Sequence, residues 1–219
     1  MTDCKKLKRQ IISQMKSAGE FLKWGSCHDN LPFKSAGMAS TKLIEMLSGS
    51  KGVLCMRDQS LGPVRLTVLH RHIKLIIASK IGYAMYDVPA SARIPDGDGF
   101  RLLLEKINRH LIPYTGPVDY IVVSCLAFDP LHRDIYSFDN YRTADILEGL
   151  RDKFTDSFSH TVTICLAADE QQVSNWPDNA FGGYAADAVI TPTRFIILGS
   201  GETCFPEQPT REALASNNL

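Results

Sequence analysis

The feature that most restricts this chain is the run Tyr120 to Phe128 (YIVVSCLAF), which carries no charge and is rich in valine and isoleucine. It is too short for a helix of usual length and lacks polar alternation, so it predicts a strand buried on both faces. A strand of that kind belongs at the centre of a parallel sheet, here over Asp119 to Leu126, with Gly52 to Arg57 and His160 to Ala167 as its neighbours. A polar stretch follows with Asp129, Pro130, Arg133, Asp134, Asp139 and Asn140, and then Ala144, Ile146, Leu147 and Leu150 recur at helical spacing. In open α/β sheets ligands bind where the chain leaves the carboxyl end of such a strand. The loop Asp129 to Tyr141 is therefore the candidate site.

The remaining segments alternate in the same way. An amphipathic helix is expected from Asp3 to about Leu22, with Leu7, Ile11, Ile12, Met15, Ala18 and Leu22 on its apolar side and Lys5, Lys6, Lys8 and Arg9 on the other. Further helices are predicted from Ala36 to Leu47, from Pro63, which suits a first helical turn, and from Asp98, which caps a run burying Leu102, Leu103, Ile107 and Leu111. Lys74 to Ala78 reads as a second strand and the stretch from there to Pro95 as irregular. Helices alternating with short buried strands argue one three-layer α/β domain over residues 1–198, followed by a polar tail, 199–219.

Composition narrows the function classes. Lysine plus arginine equal aspartate plus glutamate at 24 each, so no global field favours nucleic acid or an anionic membrane. No apolar run approaches the roughly 20 residues of a membrane span, and the expected location is cytoplasmic. The six cysteines form no C-x-x-C pair, and Cys55, Cys125 and Cys165 lie inside apolar runs, which reads as buried reduced thiols. The chain has no P-loop, no G-x-G-x-x-G and no G-x-S-x-G. His70 and His72 point to different sides of a helix, and Asp96 and Asp98 lack the further ligands of a calcium loop.

Val118 to Leu150 resembles the signature of the 5-formyltetrahydrofolate cyclo-ligase family, in which a D-hydrophobic-hydrophobic-V strand runs into AFD, a glycine-rich loop and a helix. Asp119, Ala127, Phe128, Asp129 and Arg133 carry the first half. The second half departs from it, because the loop glycines fall on Tyr136, Phe138 and Asn140. Three other segments resemble a divergent branch of the family. Leu31, Pro32, Phe33, Ala36 and Leu43 fit its I-P-N-F-x-G-A element, and Pro63, Val64, Arg65, Leu69 and Lys74 fit D-x-P-Q-x-P-V-R and the helix after it. DAVITPTRFIIL, with Thr191, Pro192, Thr193 and Arg194, fits D-x-I-x-T-P-T-R-x-I, while the branch's preceding His-Asp pair is replaced by Gly182 and Gly183. The resemblance runs from about Lys5 to Leu198 and implies a NagB/RpiA/CoA-transferase-like fold with a mostly parallel central sheet.

It also implies an activity: MgATP-dependent conversion of 5-formyltetrahydrofolate to 5,10-methenyltetrahydrofolate, with a reduced folate as small-molecule partner. That chemistry needs positioned phosphates and neutralised charge. On this resemblance Asp129 and Arg133 are the catalytic candidates, and Asp139 and Asp145 the magnesium carboxylates. Lys8, Arg65 and Arg194 are the phosphate cations, and Tyr136, Phe138 and Asn140 line the nucleotide position. Each has a plainer reading, as a solvated basic face for Lys8 and a surface salt bridge for Arg65. Two functions stay open: an enzyme whose side chains hold phosphate in place of glycine amides, or a non-catalytic member whose aromatic residues fill the nucleotide site.

Overall fold

The central strand is where the apolar run places it: Tyr120–Ser124 is buried along its whole length and lies in parallel between Val53–Cys55 and Val162–Leu166. The computed structural model describes residues 2–22, 32–56, 58–79, 83–89, 111–137, 140–174, 184–200 and 203–204; the side chains of 2–5, 59, 140–142 and 203–204 are not described. In chain order the strands are β1 (Val53–Cys55), β2 (Leu75–Ser79), β3 (Ala84–Val88), β4 (Ile112–Pro113), β5 (Tyr120–Ser124) and β6 (Ala127–Phe128). They continue with β7 (Asp134–Tyr136), β8 (Val162–Leu166), β9 (Tyr184–Ala185), β10 (Ala188–Ile190), β11 (Phe195–Ile197) and β12 (Thr203–Cys204). The helices are α1 (Thr2–Ser17), α2 (Ala36–Met46), α3 (Gly62–His70) and α4 (Asn140–Lys153).

Nine strands form the main sheet in the order β12-β11-β10-β8-β5-β1-β2-β3-β4. Its five central members, β10 to β2, run parallel, and antiparallel strands finish both edges. From β1 the chain crosses through α3 to β2, and from β5 it crosses through α4 to β8 in the opposite direction along the sheet. Right-handed crossovers running in opposite directions place their helices on opposite faces. The result is a three-layer α/β domain, with α2 packed on α3, β8 and β10 on one side. Val53, Leu54, Ile121, Val122, Val123 and Ile164 at its centre are fully buried.

Several elements differ from the sequence expectation, each for a local reason. The apolar run is two strands: β5 ends at Ser124, and β6 joins β7 and β9 in a separate three-stranded sheet. Between them the Gln171 side chain donates to the carbonyls of Cys125 (2.6 Å) and Leu126 (3.2 Å), and Leu126 N–H donates to the Tyr136 carbonyl (2.7 Å). These partners satisfy the backbone away from the main sheet, so the strand turns aside instead of continuing. The segment read as irregular contains β3, antiparallel to β2, with Met85 and Val88 inward. The first helix stops at Ser17, because Gly19 adopts a φ of 74° and turns the chain so that Glu20 and Phe21 N–H both reach the Met15 carbonyl. β12 pairs with β11, carrying the sheet past the boundary drawn at Leu198. The helix expected after Asp98 lies outside the described residues.

Candidate functional site

Because the crossovers leave β1 and β5 in opposite directions, the topological switch point lies between these two neighbouring strands, and the crevice at their carboxyl ends is the place for a ligand. Asp58, just beyond β1, and Ser124, the last residue of β5, close over it: Ser124 Oγ donates to Asp58 Oδ2 at 2.6 Å. The Ser124 carbonyl accepts from the Tyr184 hydroxyl at 2.7 Å, so one residue joins a carboxylate and a buried phenol. Burial pushes the Tyr184 hydroxyl well above its usual range, the charges of Cys165, Asp58 and Cys125 push further, and a hydrogen bond with Ser137 pulls the other way. It therefore stays a donor. Below it, Cys55 and Cys165 are buried free thiols; desolvation raises Cys55 to about 11 although the Arg65 guanidinium opposes it, and raises Cys165 likewise.

A second cluster stands at the ends of β8 and β10. Asp169 Oδ1 accepts from Thr191 Oγ1 (2.6 Å), Thr193 Oγ1 (2.7 Å) and Arg194 Nε (3.0 Å), and Arg194 Nη1 donates to Gln172 Oε1 (2.6 Å). Partial burial drives the Asp169 carboxyl upward, but these hydrogen bonds and the charge of Arg194 outweigh it and hold the group below its ordinary value. The Thr-Pro-Thr-Arg turn is thereby tied to the loop after β8, and α1 packs against that loop at Asp169–Gln171.

The residues singled out in the sequence are distributed among separate structural contacts. Asp129 is buried and closes the β6–β7 turn, accepting from Leu131 N–H at 3.0 Å and facing His132 Nδ1 at 3.1 Å. Arg133 pairs with Asp187, whose Oδ2 accepts from Thr163 N–H at 2.8 Å, so this arginine fastens the hairpin to β10 and β8. Arg65 is buried, not surface-exposed, with Nη1 donating to the carbonyls of Met56 (2.7 Å) and Asp58 (2.9 Å). Tyr136 is a buried residue of β7 paired with Ala127, and Asp145 accepts from the Tyr83 hydroxyl at 3.0 Å. Lys8 is half-buried on α1, on the helix that meets the Asp169 turn. Phe138 and Asp139 lie outside the described residues, and so does the side chain of Asn140.

Sequence reasoning missed Tyr184, Gln171 and the pairing of Asp58 with Ser124. Two signals were present: Ser124 is the lone serine within the apolar run, and Asp169 comes two residues after the strand expected to end at Ala167.

The class that the fold defines is a three-layer α/β domain built on a parallel-centred sheet. No protein-family model matches the chain, and no curated protein sequence matches it. Among solved structures, the fold is shared with 5,10-methenyltetrahydrofolate synthetase of Aquifex aeolicus, 17% identical over 93% of this chain and 97% of that one, with a TM-score of 0.54. More distant similarity reaches the decarboxylase AibA/AibB (12% identity, 77% of this chain and 75% of that one, TM-score 0.43) and ribose 5-phosphate isomerase A of Neisseria gonorrhoeae (10%, 80% and 97%, TM-score 0.41). Among the described residues, no helix is long and apolar enough to cross a membrane.

Proposed function

We propose that this chain is a cyclo-ligase-like protein that keeps the fold and has given up phosphoryl chemistry, acting as a small-molecule binding or regulatory module. One observation carries the reading: Tyr136, at a position where the resemblance expects a phosphate-loop glycine, is a buried strand residue in register with Ala127. A triphosphate needs backbone amides it can approach closely, which glycine permits and a packed tyrosine does not.

The charged groups support it. MgATP would need free cations and a magnesium carboxylate cluster, but Arg65, Arg133 and Arg194 are tied to carbonyls, Asp187, and Asp169 with Gln172 respectively. Asp129 and Asp145 are likewise tied, to a turn and to Tyr83, and among the described residues no three His, Cys, Asp or Glu side chains are grouped to hold a metal. The described donor set does not fit magnesium and a triphosphate.

Calorimetric titration with MgATP, alone and with 5-formyltetrahydrofolate, tests the reading. The expected result is no MgATP binding and no growth of the near-ultraviolet absorbance of methenyltetrahydrofolate. Saturable MgATP binding with turnover would restore the alternative, an ATP- and magnesium-dependent cyclo-ligase whose side chains replace the glycine amides.

A further inference from the structure

Among the described residues, two that are not glycine adopt a positive φ: His72 at 55° and Tyr83 at 43°. His72 follows α3, where its N–H donates to the Leu69 carbonyl and the Ile73 N–H to the Val68 carbonyl, so its left-handed turn is an ordinary helix stop. Tyr83 ends no helix. It stands one residue before β3, beside the last rung of the β2–β3 ladder, Ser79↔Ala84. A bulky aromatic residue suits that backbone region poorly, and such a conformation persists only where the surroundings impose it.

The contact that imposes it is with α4. The Tyr83 hydroxyl donates to Asp145 Oδ1 at 3.0 Å, and its ring lies on the helix at Gly149, where an added Cβ would come within 2.5 Å of Tyr83 Cε1. Asp145 and Gly149 are four residues apart and so share one face of the helix. Glycine inside a helix is itself unfavourable relative to alanine, so two local losses, one on each element, are sustained by a single contact. We propose that Tyr83 is a latch, a two-state clasp between the β2–β3 hairpin and α4 that opens well short of global unfolding. Closed, the ring sits on Gly149 and φ at residue 83 stays positive. Open, the ring leaves the helix, the hydroxyl exchanges Asp145 for water, and the backbone returns to a negative φ, which relieves the strain and lowers the cost of opening. The latch couples one edge of the main sheet to the helix that leaves the candidate loop, so a ligand that displaces either element displaces the other. This holds whether or not the chain turns over MgATP.

Native-state hydrogen exchange of the full chain, read by mass spectrometry over a series of low urea concentrations, tests the latch. In the wild type, the amides of β3 and those of α4 from Thr143 to Gly149 should exchange through one common opening with little urea dependence, and faster than those of β1, β5 and β8. Tyr83→Phe removes the hydroxyl and leaves the ring; it should speed exchange of both segments by the same factor, about three- to tenfold. Gly149→Ala blocks the seat from the other side and should speed exchange in β3 although the substitution is in α4. Should Gly149→Ala not fold, Asp145→Ala, which favours the helix and removes the acceptor, takes its place against the same expectation. Faster exchange confined to the substituted element would overturn the coupling. Exchange of β3 and α4 with the urea dependence of β5 would overturn the separate opening, leaving the contact as packing alone.

Discussion

Replacing Gln171 by methionine probes the joint on which the candidate site is hung. The glutamine is 1% exposed; its Oε1 accepts from Ala168 N–H at 2.7 Å while Nε2 donates to the carbonyls of Cys125 and Leu126. Methionine has nearly the same length and volume, so the change opens little cavity and isolates the polar loss. It leaves one backbone N–H and two carbonyls without their partner, at residues that are themselves buried. An unsatisfied buried group costs about 1 to 3 kcal/mol. The 3.2 Å contact is the weakest of the three, so we expect a total of about 3 to 5 kcal/mol. For a chain of this size that lowers Tm by roughly 6 to 20 °C. Urea unfolding followed by circular dichroism should show the loss as a lower midpoint with an unchanged slope. Gln172→Met is the control, since Gln172 is half-buried and its side chain meets only the Arg194 guanidinium among the contacts described above; it should cost less than about 1 kcal/mol. If Gln171→Met were as stable as this control, the backbone bonds of the β5–β6 joint would not be what holds it.

Three further outcomes follow from packing and burial. Gly149→Ala puts a Cβ 2.4 Å from the Tyr83 ring, so the ring must shift and its bond to Asp145 weaken, an overpacking loss of about 1 to 3 kcal/mol measurable by the same unfolding experiment and relieved in the double variant with Tyr83→Ala. Cys55, Cys125 and Cys165 should escape alkylation under native conditions when modification is mapped by mass spectrometry, and rapid labelling of all three would contradict their burial. The same burial sets an alkaline limit: the native state keeps the Cys55 proton to about 11 while the unfolded chain releases it near 9.0, so between these values the native state binds more protons and stability falls as pH rises. A midpoint of unfolding that stayed constant from pH 8.5 to 11 would refute this.

The fold was legible wherever burial is two-sided and local. A short apolar run without alternation points to a strand buried on both faces, and β5 with its parallel neighbours β1 and β8 lies where the sequence put it. The second sheet was not legible, because β6, β7 and β9 are two or three residues each, and what diverts the chain into them is a glutamine side chain 45 residues away. β3 was missed because Tyr86 and Asp87 stand side by side between the buried Met85 and Val88, so the stretch shows neither an apolar run nor a clean alternation.

The site illustrates a harder limit. Reading polar residues in a loop after a strand finds groups able to do chemistry, yet whether a cation is available depends on a partner far along the chain. Arg133 is held by Asp187, 54 residues on, and Arg194 by Asp169 from another loop, while Asp58 and Ser124 meet across 66 residues. The same reasoning bears on restoring a phosphate cradle by mutation. Glycine at 136 would remove a side chain packed in β7 and take Tyr136 out of a strand whose carbonyl receives Leu126 N–H, so it would loosen the small sheet before it offered any amide to a ligand. A glycine-rich loop binds phosphate because its backbone is unpaired and approachable, and in this chain the backbone at Ile135 and Tyr136 is already paired within a sheet.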